Sequence, residues 1–165
     1  MFDLKTISAE AIPEALAKAE RYRLLNEPCE AESICQDVLS VDPVNQQALI
    51  TLLLAVTDQF DDRIDVAKAI EVAERLQGDY ERAYYSGIIC ERQGRAHFRR
   101  GHYGASGIIY SCLTQAMRLY EQAEALRPPN NDDALLRWNT CARFLMQHRN
   151  VQAEPHVKAE PILSE

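Results

Sequence analysis

The residues with most chemistry to offer lie in one stretch, Arg92 to Gly104, which reads RQGRAHFRRGHYG. It holds Arg92, Arg95, Arg99 and Arg100, with His97, Phe98, His102 and Tyr103 among them. No acid follows until Glu121. Guanidinium groups bind phosphates and carboxylates through paired hydrogen bonds, and aromatic rings stack on bases. The stretch therefore suits either a nucleic-acid contact or pairing with carboxylates of the same chain or of a second copy. An isoelectric point near 5.1 lacks the basic footprint of a nucleic-acid binder and favours the pairing.

Catalytic grammar is missing. No G-x-x-x-x-G-K-[ST], G-x-S-x-G or H-E-x-x-H occurs. His97 and His102 stand five apart, a poor spacing for a shared metal on one helix face. Cys29, Cys35, Cys90, Cys112 and Cys141 form no C-x-x-C and fall within helical patterns, as reduced thiols would. The expectation is a protein that is not an enzyme, with no cofactor and no metal.

The net charge of −7 conceals a split. Residues 1–91 carry 18 acidic and 8 basic side chains, and residues 92–165 carry 7 and 10. Such a division bears on partners, not on the fold. No apolar run approaches the ~18 residues of a membrane span. The N-terminus lacks the basic and apolar regions of a signal peptide, so a cytoplasmic location is expected.

The elements that must position these residues are helices. Ala116, Tyr120 and Ala123 follow at spacings of four and three, with Pro128 after them and Asn130-Asn131-Asp132-Asp133 opening the next element. Ala31, Cys35, Val38 and Pro43 repeat that grammar near the N-terminus. Earlier, Pro13 opens a helix running to about Leu25, and a second covers Cys29 to Ser40. Asp42-Pro43 is expected to cap a third, whose apolar run Ala48–Val56 marks it as central. Asp61-Asp62 is expected to cap a fourth ending before Gly78, and Asp79 a fifth.

Repeats started at Ile12, Gln46 and Tyr80 are 34 residues apart, and in this period the chain resembles the tetratricopeptide repeat, a family of helix–turn–helix units. Ala19, Leu53 and Gly87 fall where paired helices of that family approach most closely. Asp65 departs from the small residue expected at its position, Gln77 replaces the proline, and Lys18, Ser86 and Arg137 also fit poorly. The third repeat reaches its matching alanine, Ala116, 17 residues late. This predicts a lengthened hairpin over 92–110, gaining about eight residues in each helix and projecting roughly 12 Å. With Gly94, Gly101, Gly104 and Gly107 in it, its tip is expected to be mobile or tightly turned.

The resemblance implies an all-α, right-handed solenoid of about seven helices. The expected divisions are an N-terminal segment over 1–11, repeats over 12–45, 46–79 and 80–130, a capping helix over 131–148 and a disordered tail over 149–165. Trp138 on that last helix is expected to pack onto the third repeat. The resemblance also implies a concave groove lined from the first helices by Leu16, Glu20, Arg23, Gln47, Ile50, Leu54, Tyr84, Ile88 and Glu91. With its apolar anchors and acids, this lining suits an extended or helical peptide carrying some positive charge. The Lys, Arg and Asn set with which the family clamps carboxyl-terminal peptides is not reproduced.

The expected function is that of an adaptor or scaffold for a protein or peptide partner, with the arm as a second contact or a self-association element. A small cytosolic chaperone for a secreted protein and a nucleic-acid contact through 92–104 are the alternatives. The chain's own terminus filling the groove is the plain competitor to all three.

Overall fold

The computed structural model describes residues 2–101 and 104–153. His102, Tyr103 and the tail beyond 153 lie outside them. The described residues form seven α-helices: α1 (Ile12–Leu24), α2 (Pro28–Val41), α3 (Gln46–Asp58), α4 (Val66–Glu74), α5 (Asp79–Arg100), α6 (Ser106–Leu126) and α7 (Asp133–Gln147), with a 3-10 turn at Ala9–Ala11 before them. No described residue is in a strand, and no described helix is long and apolar enough to cross a membrane. Each helix packs on its sequence neighbour, while α3 also touches α1 and α5. The result is a solenoid-like stack with α1, α3 and α5 side by side.

Local chemistry sets most boundaries. Pro13 sits at the start of α1, and Asn26, with φ +61°, closes the turn behind it. Two capping expectations are corrected. The α3 cap is Asn45, whose side chain accepts from the Ala48 N–H at 2.9 Å, rather than Asp42. The α4 cap is Asp65, accepting from the Lys68 N–H at 3.2 Å, rather than Asp61 or Asp62. Thus the acid that broke the repeat pattern starts a shortened helix. Glu32 on α2 ties that region together, binding Lys68 and taking a 2.6 Å hydrogen bond from Gln59.

The core follows the 34-residue period. Ala19 and Leu53 are fully buried, as are Ala31 and Ala116, Cys35, Ala69 and Tyr120, and Val38 and Ala123. Eight of the thirteen residues of α3 are buried, which makes it the central helix. Trp138 is half-buried and donates to Glu121 on α6 at 3.0 Å.

Helices α5 and α6 are long, at 22 and 21 residues against 13 for α1 and α3. Gly101 (φ +63°) and Gly104 (φ +85°) sit in the turn between them, as a tight reversal requires. The hairpin does not stand free, however. Phe98 packs edge-on against Phe144 of α7, and Arg99 and Arg100 reach back to the loop after α3. The tail's first residues are also placed: Val151 is buried and Ser106 bonds the backbone of Asn150 and Gln152.

Buried groups that ionise only in base make the fold alkali-sensitive. Burial pushes the thiols of Cys35 and Cys141 from 9.0 up to about 12, and the Tyr85 phenol from 10.0 up to about 12. Each raised value means that the folded chain keeps a proton the unfolded chain gives up. That stabilisation is complete below about pH 9 and is lost as pH rises toward 12. Urea unfolding is expected to show a falling stability above pH 9, by about 1.4 kcal/mol per pH unit for each of the two thiols. Constant stability from pH 9 to 11 would contradict this.

Candidate partner-binding groove

Side-chain links run across the first helices and define one face. Gln47 on α3 donates to Glu20 on α1 at 3.1 Å. Asp58 at the end of α3 lies between Arg23 of α1, at 2.8 Å, and Arg92 of α5, at 2.6 Å. Arg137 on α7 reaches Glu91 on α5 at 3.5 Å. The face therefore spans α1, α3, α5 and α7. Ile50, Leu54 and Tyr84 lie on it half-exposed, beside the exposed Glu20 and Gln47 and the half-exposed Arg23.

Three residues expected on the lining are inside instead. Leu16 and Ile88 belong to the hydrophobic core, because the turn of each helix carries them toward their neighbours. Glu91 is 3% exposed. It lies on the α5 stripe Gly87–Glu91–Gly94 that faces α6, and the Tyr120 hydroxyl donates to it at 2.8 Å. Arg95 reaches it at 3.5 Å, as Arg137 does. A buried carboxylate needs such compensation. Burial and the adjoining carboxylate drive the Tyr120 phenol far above its ordinary value. Burial works against the Arg137 charge too, but Glu91, Tyr120 and Tyr84 together raise its pKa.

The basic arm turns inward. Arg92 donates to the Leu54 carbonyl at 2.9 Å and to Thr57 at 2.6 Å as well as pairing with Asp58. Burial lowers its pKa, against the pull of Asp58. Arg95 lies 4.6 Å from the centre of the Phe144 ring. Arg99 pairs with Asp61 at 2.5 Å, and Arg100 donates to the Phe60 and Asp61 carbonyls at 3.1 and 3.2 Å. His97 is half-buried and engaged with its surroundings. Of the two pairings expected for these arginines, the one with the acidic first half of the same chain is therefore realised.

Arg92, Arg95, Arg99 and Arg137 converge with Thr57, Asp58, Glu91 and Thr140 on a cleft of about 410 Å³ between α3, α5 and α7. Thr140 was not foreseen. Arg137 had a signal, being a charge where the repeat pattern calls for a small or apolar side chain, and a buried acid on the facing helix explains it. The described ends of the chain lie elsewhere: Ile7 packs with residues of α1 and α2, and Gln152 bonds Ser106 on α6. Among the described residues no group of three or more His, Cys, Asp or Glu is placed to hold a metal ion. No protein-family model matches the chain, and neither does any curated protein.

Proposed function

We propose that the protein is a non-enzymatic adaptor of tetratricopeptide-repeat type, which holds a segment of another protein along the face of α1, α3, α5 and α7. The observation that carries this reading is the half-exposed row Ile50, Leu54 and Tyr84 beside the polar cleft. Apolar anchors flanked by a few fixed polar groups are what an extended or helical peptide requires. The inward engagement of the arm's arginines weighs against a strand of nucleic acid as the main ligand. The free thiols support a reducing, cytosolic setting for the same reading.

The test is capture of partners from the native host with tagged full-length chain and with Leu54→Arg. Leu54 sits half-exposed at the middle of the face, and a cation there blocks an apolar anchor. Recovery of the principal partner is expected to fall about tenfold or more, as for a central contact residue. Equal recovery with a variant of unchanged melting temperature would sink the proposal. Tyr84→Ala is the less clean probe, because Tyr84 also packs against the rings of Tyr80, Tyr85 and Tyr120.

A further inference from the structure

The cleft between α3, α5 and α7 has an unbalanced charge. Four arginines line it against two acids, Asp58 and Glu91. Adding the next pairs outward, Arg23 with Asp58 and Arg99 with Asp61, brings in one more of each sign and leaves the excess of two cations unchanged. The excess is also poorly spent. Arg95 and Arg137 share one Glu91 oxygen, each at 3.5 Å, beyond the usual 2.7–3.2 Å of an N–H···O bond. A guanidinium has five N–H donors, and a carboxylate is acceptor-only with room for two in parallel. Arg95 is held in place by the Phe144 ring, and Arg137 by its bond to the Tyr84 side chain. These cations are therefore positioned by contacts that do not neutralise them.

Accepting the groove reading above, we infer that this cleft takes a carboxylate side chain, and that the partner is an acidic segment of another polypeptide. Its Asp or Glu enters between Arg95 and Arg137, while neighbouring apolar side chains rest on Ile50 and Leu54. This reverses the charge that the sequence alone implied for the ligand, because the acids of the lining are already matched: Glu20 by Gln47, Asp58 by Arg23 and Arg92, and Glu91 by Tyr120. A polypeptide fits better than a nucleic acid. The cleft is local, and Asp61 at its Arg99 edge with Asp62 next to it would repel a continuous phosphodiester chain.

The experiment is selection of random peptides of roughly twelve residues, displayed on phage, against the full chain. It is run on wild type, Leu54→Arg, Thr140→Glu and Thr140→Lys. Thr140 is exposed at the cleft, and its hydroxyl bonds only its own helix, at the Leu136 carbonyl. Neither Thr140 variant should alter the melting temperature. The expected result is enrichment of Asp- and Glu-bearing peptides. Their binding should weaken about tenfold in Thr140→Glu, tighten in Thr140→Lys and fall with salt. A variant that merely disturbed the fold would not give opposite signs at one position. Enrichment of neutral or basic peptides that Leu54→Arg abolishes would overturn the acidic assignment and keep the groove. No enrichment on the folded chain would overturn both. Stronger binding of oligothymidylate than of any peptide, lost in Thr140→Glu, would overturn it in favour of a nucleic acid.

Discussion

Gly87→Ala is expected to destabilise the protein, although alanine is the better helix former. Gly87 lies mid-way along α5 and is buried. A Cβ there would stand 2.5 Å from Cε1 and 2.8 Å from Cδ1 of Tyr120, a ring with no exposed surface. The propensity gain is about 1 kcal/mol. Forcing a fully buried ring out of its place costs about 1–3 kcal/mol, and here it also drags the hydroxyl off Glu91. The net effect should therefore be a loss, growing with Gly87→Val. Urea unfolding checks the sign, and a gain in stability would show that α5 and α6 are not so closely apposed. Because the clash is with ring carbons, Tyr120→Phe should not relieve it, whereas Tyr120→Leu should soften it in a double-mutant cycle.

Glu91→Ala is expected to cost about 3–5 kcal/mol, the penalty for removing one side of a buried charged arrangement. The change strands the Tyr120 hydroxyl and leaves Arg95 and Arg137 without their shared carboxylate. Glu91→Gln keeps an acceptor for Tyr120 and should cost less, and Tyr120→Phe less again, about 1–3 kcal/mol for an unmade bond to a buried group. The order Ala above Gln above Phe is the informative quantity, read from denaturant midpoints at constant slope. If Glu91→Ala were neutral, the carboxylate would have to be reached by water that the packing of α5 on α6 denies it.

Periodicity carried the helices and the core. Ala19, Ala31, Cys35, Val38, Leu53, Ala69, Ala116, Tyr120 and Ala123 are all fully buried where the 34-residue register puts them. Caps were harder to read, because Asp42, Asn45, Asp61, Asp62 and Asp65 are all good caps in isolation. Only the start of each helix decides among them, and Asn45 and Asp65 stand there. The groove was legible as a face but not residue by residue. Leu16 and Ile88 are apolar, and nothing in a one-dimensional pattern says that they roll into the core. The arm misled for a related reason: four arginines with no local acid look unpartnered until α5 lies beside α3. Their acceptors, Asp58, Asp61 and the Phe60 carbonyl, come from 34 to 40 residues earlier in the chain. The ligand's charge followed the same course, since matching of the lining acids is a property of packed helices.

The central claim is that partners are met on the face of α1, α3, α5 and α7. Its most direct test is a photoreactive benzophenone amino acid placed in full-length protein at Gln47 or Thr140 on that face, or at Ser111 on the α6 surface beside Ala153. Irradiation in the native host should give the same crosslinked protein from Gln47 and Thr140 and none from Ser111. Crosslinking from Ser111 alone would place the partner on the opposite side of the stack and contradict the account.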